Sequence, residues 1–256
     1  LYHQGVSLII TVDNGIASVQ EVERARELGM DVVITDHHRP QAQIPSAYAV
    51  VDAYQPEDQS AFKDLCGAGV ALKLVMALEG EGAPEILEEY ADLAALGTVA
   101  DVVPVLGENR AIVKAGLRVL TRGGRAGVDA LLEQSGMAGK ELSATSLAFT
   151  VIPRLNATGR MGAPERAVRL LTCEGEEEAQ ALSAEICEDN DLRKSVESKI
   201  AQEAFAKIEG DPSLRYSRVL VVSGESWHHG VIGIVASRVM ERYGKPCMVI
   251  SLDGEM

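Results

Sequence analysis

Short apolar runs rich in β-branched residues alternate with stretches of helical spacing over the first fifty residues. Val6 to Val12 is the first such run and predicts a buried strand. Ser18 to Leu28 has helical period, with Val19, Val22 and Ala25 on one face and Glu21, Glu23 and Arg24 elsewhere; Gly29 is the expected stop. Val32 to Thr35 is the next strand. Strand, helix and strand at this spacing predict parallel pairing through a right-handed crossover. Tyr48 to Val51 predicts a third strand. Gly69 to Leu78, Ile86 to Leu96 and Arg110 to Leu120 read as helices, and Val128 to Leu132 opens another.

The longest helical stretch is 176–209, where Leu192, Val196, Ile200, Ala204 and Ile208 recur every four residues. Glu176, Glu177 and Glu178 stand in its first turn, where the helix dipole favours acids. Gly210-Asp211-Pro212 ends it. A new pattern follows: strand Arg218 to Val222, helix Val231 to Tyr243, strand Cys247 to Ser251. A second domain is expected from about residue 212, with the long helix as connector. The chain opens on Leu1 and runs at once into a strand. It closes on a strand and an Asp253-Gly254 turn signal with no returning strand, so it reads as an internal piece of a longer protein.

Composition narrows the classes. The 256 residues are 46% apolar, enough for a real core. Aromatics make up only 4%, with Trp227 the one tryptophan, which argues against a base-stacking surface built on many rings. The formal charge of −14 argues against a uniformly basic coat for nucleic acid. Half of that charge is local, because residues 174–210 hold eleven acids and four bases, a net −7. No apolar run approaches the roughly 18 residues of a membrane span, and no signal segment opens the chain. Cys66, Cys173, Cys187 and Cys247 are scattered without a CxxC pair, which points to reduced thiols and a cytoplasmic setting.

Five segments could carry chemistry. Asp13, in TVDNG, follows a strand, where open α/β sheets place ligands; Asp-Asn-Gly is also ordinary turn chemistry. Asp36-His37-His38 follows the neighbouring strand and offers imidazole beside carboxylate, a mixture suited to Mn²⁺, Zn²⁺ or Fe; loop histidines are the alternative. Asp101 stands in the apolar stretch Leu93 to Val105, where a carboxylate is costly unless paired, protonated, capping a helix or on a metal. Asp13, His37 and Asp101 together would suit one divalent ion, with Asp36 and His38 behind it or against substrate.

Arg110, Lys114, Arg118 and Arg122 fall four apart, with Arg125 beyond and no acid from 110 to 124. Like charges at that spacing repel, so the stripe predicts an anionic partner or a solvated face against the acidic helix. Arg154, Arg160, Arg166 and Arg169 follow, with Gly159 and Gly162 beside Arg160 allowing close approach; a plain loop is the alternative. Trp227-His228-His229-Gly230 stands between a strand and a helix start, as a phosphate contact or as domain packing. No GxxxxGK, GxGxxG, HExxH or GxSxG motif occurs.

TVDNG, VITDHH and ADVVP, in that order, resemble the second, third and fourth motifs of the DHH phosphoesterases. PRLNATGRMG and SWHHGVIGIVASRV resemble the branch of that family that comprises bacterial 5′→3′ single-stranded-DNA exonucleases. The resemblance implies an α/β fold: a parallel-sheet DHH catalytic domain with a helical part over 1–173, a connector helix over 174–211, and the start of a DHHA1-type α/β domain over 212–256, with a cleft between the domains. It implies two divalent ions, usually Mn²⁺ with Mg²⁺ possible. Asp13 would bridge both, and His37 and Asp101 would bind one. Asp36 would brace the motif and His38 would contact the scissile phosphate. Arg160, Asn156 and His228 would meet the DNA backbone, joined by Arg110, Arg118 and Arg122 of the basic stripe.

The family's Asp-x-Asp-x-Asp-Gly motif would lie upstream of Leu1, and its Gly-Ser-Ala-Arg-Ser and Gly-Gly-His segments beyond Met256. That would leave one ion of this piece without its main ligands. Ser226 stands where a glycine is common. The implied activity is two-metal hydrolysis of single-stranded DNA in repair and recombination. A monomer is implied, with a single-strand-binding protein and a helicase as further partners and no membrane. The competing readings are a DHH phosphodiesterase of short oligonucleotides, cyclic dinucleotides or pyrophosphate, and a non-catalytic relative that binds DNA.

Overall fold

The computed structural model describes residues 1–80 and 83–252. In chain order the strands and helices are β1 (Leu8–Val12), α1 (Val19–Glu27), β2 (Asp31–Thr35), β3 (Ala49–Val51), α2 (Gly67–Glu79), α3 (Ala83–Ala100), α4 (Gly107–Arg122), α5 (Ala126–Gln134) and α6 (Ala144–Ser146). A π-helical turn, Leu147–Val151, leads into α7 (Ile152–Arg160). Then come α8 (Pro164–Thr172), α9 (Glu176–Gly210), α10 (Pro212–Arg215), β4 (Leu220–Glu225), α11 (His229–Tyr243) and β5 (Cys247–Leu252). The α/β class expected from the pattern holds. The Asp253-Gly254 turn signal lies outside the described residues.

Two compact units emerge, one of residues 1–124 with 139–152, the other of 125–138 with 153–256. The division thus falls earlier than the expected boundary at 173. The reason is packing: α5 and α8 both lie along α9 and go with it.

In the first unit, β1, β2 and β3 form a parallel sheet in that order. Val22 and Ala25 of α1 bury against Val32 and Ile34 of β2, with Met30 filling the turn between them. The expectation of a buried β1 needs correction. Leu8, Ile10 and Val12 are 46–50% exposed, because among the described residues only the Ile9 face of β1 packs on the core. Helices α2, α3 and α4 pack together around Leu72, Ala94 and Ile112.

In the second unit, β4 and β5 pair in parallel, and α9 and α11 cover one face of them. Ile200, Ala204, Ile208, Leu220, Val222, Trp227, Val231, Val235 and Val239 form that core. The four-residue row expected on α9 is buried only from Ile200 onward. Leu192 is 53% exposed, while Leu182 and Ile186 are buried. Four residues turn a helix by about 400°, so a strict row drifts round the axis by roughly 40° per step and leaves the core face.

Helices α7 and α8 occupy a segment whose alternative reading was a loop. Pro164 opens α8, where a missing N–H costs little, whereas Pro153 follows the π-helical turn inside a continuous helical run over 144–160.

Candidate metal centre

The sheet register sets the centre. Val12 pairs with Thr35, and Thr35 with Val51. The next residue in each strand is an aspartate, so Asp13, Asp36 and Asp52 form a row at the carboxyl edge of the sheet. Backbone bonds continue the ladder into that row, from Asp13 N to Thr35 O and from Asp36 N to Val51 O, both 3.0 Å.

Asp13 has a left-handed backbone, φ 65°, and its side chain is open to solvent. Asp36 is buried, and both its oxygens are used. Oδ2 accepts from Ile16 N at 2.9 Å. Oδ1 accepts from His37 N at 2.8 Å, from His38 N at 3.2 Å and pairs with His38 Nδ1 at 2.7 Å. Burial alone would raise the Asp36 carboxyl, but these hydrogen bonds hold it below the ordinary carboxylate value. The same bond to Asp36 raises His38. Asp36 therefore fixes the Asp-His-His loop and orients the His38 ring.

Asp101 caps the end of α3, 88 residues from Asp13 in sequence. The following Val102 is left-handed at φ 59°, strain for a β-branched residue, and 86% exposed. His37 Nε2 lies 2.9 Å from Asp13 Oδ1 and 3.5 Å from Asp101 Oδ2. That nitrogen is buried, yet it has no hydrogen-bond partner among the described residues. Two carboxylates flank a buried imidazole nitrogen without satisfying it. Donor atoms of Asp13, His37 and His38 all lie within 4.8 Å of one another; Asp101, 3.5 Å from His37 Nε2, stands outside that set. Ligand bonds of about 2.0–2.2 Å require separations of this size, so the residues fit a divalent ion of borderline softness.

Asp52 was not singled out as a site residue, although VVD repeats the strand-then-aspartate signal of TVD and VITD. It is buried, its Oδ1 accepts from Tyr54 N at 2.8 Å, and its Oδ2 has no partner among the described residues. Burial pushes its carboxyl up.

The basic stripe divides. Arg110, Lys114 and Arg118 line a groove of about 670 Å³ over Val105, Val113, Leu117 and Leu142. No acidic partner faces these three cations among the described residues. Arg122 does not line the groove; it pairs with Glu88 of α3 at 2.7 Å.

In the second unit, Arg166 pairs with Asp189 and Arg169 with Glu178, both at 2.7 Å, so these arginines serve the acidic α9. Arg160 ends α7 and is exposed; one of its five donors reaches Gly230 O at 3.2 Å. Gly159 and Gly162 face open space, whereas at Gly230 any Cβ would overlap the Arg160 carbonyl. Asn156 is exposed one turn before Arg160. His228 caps α11, its Nδ1 accepting from Gly230 N at 3.1 Å. Trp227 is core, with Nε1 donating to Glu203 at 2.8 Å.

Residues 2–98 match the DHH family, N-terminal domain. Over 98% of its length the chain is 44% identical to the single-stranded-DNA-specific exonuclease RecJ of Bacillus subtilis, and 38% identical to RecJ of Escherichia coli. It spans 31% and 46% of those two proteins, less than half of either. The crystal structure of Thermus thermophilus RecJ in complex with Mn²⁺ superposes with a TM-score of 0.84 at 39% identity, over 96% of this chain and 36% of that one. An exonuclease RecJ bound to manganese gives 0.83 at 37% identity, over 98% and 63%.

Proposed function

We propose that this chain is the metal-binding part of a nuclease that hydrolyses single-stranded DNA from the 5′ end, with Mn²⁺ the preferred ion and Mg²⁺ an alternative. One observation carries the reading: the buried, unsatisfied His37 Nε2 between Asp13 and Asp101. The identity to RecJ proteins supports the substrate class, and their Mn²⁺ complexes support the metal.

Asp13, His37 and Asp101 would hold the ion. When bound, divalent cations supply Lewis-acid polarisation of the phosphoryl oxygens and activation of water. Asp36 holds the His38 ring against the site and keeps it a good donor, so that His38 meets a phosphate oxygen. Arg110 and Arg118 line an acid-free groove that accepts a phosphodiester backbone. Arg160, Asn156 and His228 offer free donors on the second unit. A single-strand-binding protein, a helicase, a monomeric state and a cytoplasmic setting belong to the same reading; among the described residues no helix is long and apolar enough to cross a membrane.

The test is Mn²⁺ titration by calorimetry on the chain and on His37→Gln, followed by a length series of single-stranded oligonucleotides with the Mn²⁺-loaded protein. Tight binding lost in the variant, with affinity for DNA rising with length, supports the reading. Selective action on di- or trinucleotides or cyclic dinucleotides would favour a small-substrate DHH phosphodiesterase. No Mn²⁺ binding would overturn the assignment of the centre.

A further inference from the structure

Arg39 directly follows the Asp36-His37-His38 loop, and Pro40 restricts its backbone to an extended path. It is exposed and has no carboxylate within ion-pair distance among the described residues. Its guanidinium rests instead on the Tyr54 ring, 4.7 Å from the centroid.

That ring is fixed at both ends. The Tyr54 backbone N–H donates to Asp52 Oδ1 at 2.8 Å, and its hydroxyl donates to Asp64 Oδ1 at 2.5 Å. The Asp64 carbonyl in turn accepts from Asn109 Nδ2 at 2.6 Å, and Asn109 is buried in the first turn of α4. A chain of bonds thus ties the platform beneath Arg39 to the segment that follows Asp101.

Stacking uses one face of a guanidinium and leaves its N–H edge open. An arginine held this way is already ordered, so little side-chain entropy is lost when it grips two oxygens of an anion. A loop-bracing arginine would instead spend its donors on carbonyls or carboxylates of its own chain, as Arg166 does with Asp189 and Glu185.

We propose that Arg39, seated on Tyr54, is a positioning residue that grips a phosphate of the phosphodiester substrate beside the metal centre. The assignment rests on the reading above, that the substrate is a single-stranded polynucleotide.

The experiment is fluorescence-anisotropy binding of a 5′-phosphorylated single-stranded oligonucleotide at several salt concentrations. The proteins are the wild type, Arg39→Gln, Arg39→Lys and Tyr54→Leu, with Mn²⁺ affinity and melting temperature measured alongside. Arg39→Gln should weaken binding about five- to tenfold and lower the log–log salt slope by about 0.7, with Mn²⁺ affinity and melting temperature held. Arg39→Lys should keep the slope and recover only part of the affinity. Tyr54→Leu should fall between Arg39→Gln and wild type. Wild-type affinity and slope in Arg39→Gln would overturn the proposal, and so would a lowered melting temperature with the slope unchanged. A wild-type chain that binds Mn²⁺ but no oligonucleotide of any length would instead overturn the polynucleotide reading, and this proposal with it.

Discussion

Gly67, the first residue of α2, fills the space directly against the Asp13 side chain: a Cβ at residue 67 would overlap the Cβ, Cγ and Oδ1 of Asp13. Asp13 itself is held left-handed by the turn after β1 and cannot retreat along the strand. Gly67→Ala should therefore displace the carboxylate while helping the helix that it opens. The expected result is a loss of Mn²⁺ affinity of at least tenfold with a melting temperature equal to wild type or higher. Unchanged affinity by calorimetry would show that Asp13 is not a ligand.

Val102 gives a second handle on the same centre. Its left-handed backbone costs a β-branched residue about 1–2 kcal/mol, and at 86% exposure its side chain returns little through burial. Val102→Gly should stabilise the metal-free protein by about 0.5–1 kcal/mol in urea unfolding, the relief being partly offset by backbone entropy. It should also loosen Asp101 and weaken Mn²⁺ binding. A stability loss would mean that the turn is not strained.

The gathering of Asp13, His37 and Asp101 was largely legible in the sequence because parallel strands deliver their carboxyl ends to one edge. Asp13 and His37 could be placed there from strand endings alone, and Asp101 from the cost of a carboxylate among valines. Asp52 ends a strand of only three residues, too short to announce its neighbour as a site residue. Gly67, Arg39 and Tyr54 depend on contacts across 15 to 54 residues, which no local pattern records. The helices over 152–172 were obscured by Pro153, Gly159, Gly162 and Pro164: Gly159 and Pro164 are tolerated near helix ends, Gly162 lies between the two helices, and Pro153 follows a π-helical turn that no local pattern announces. Charge spacing found the basic stripe but not its division. Whether an arginine on α4 meets Glu88 or open groove is decided by which face α3 covers.

Tyr54 links the platform to pH. The hydrogen bond to Asp64, then burial and the Asp64 charge, raise its phenol above the ordinary tyrosine value near 10. A raised folded value means that this bond contributes stability fully below the unfolded tyrosine pKa and loses it as pH climbs through the folded one. Absorbance titration should show a late-ionising tyrosine that disappears in Tyr54→Phe and moves to lower pH in Asp64→Asn. Tyr243, raised chiefly by burial, should titrate late in all of them. An unmoved titration in Asp64→Asn would show that the Tyr54–Asp64 bond is not formed in solution.

The division of the basic stripe makes the sharpest prediction about substrate. Arg110, Lys114 and Arg118 rise along α4 at about 6 Å per step and face an aliphatic groove without an acid among them. Arg122 continues the same spacing but meets Glu88. If the groove carries a phosphodiester strand, the three groove cations release counterions from it and Arg122 does not. Arg110→Gln/Lys114→Gln/Arg118→Gln should lower the salt slope of oligonucleotide binding by about 2, at roughly 0.7 per phosphate contact. Arg122→Gln should leave the slope within about 0.3. The groove has no aromatic side chain for bases to stack on, so affinity should depend on strand length and charge and hardly on base sequence. Equal slopes in the triple variant and the wild type would remove DNA from this groove. An acidic peptide that binds the wild type and not the triple variant would then identify it as a protein-docking surface.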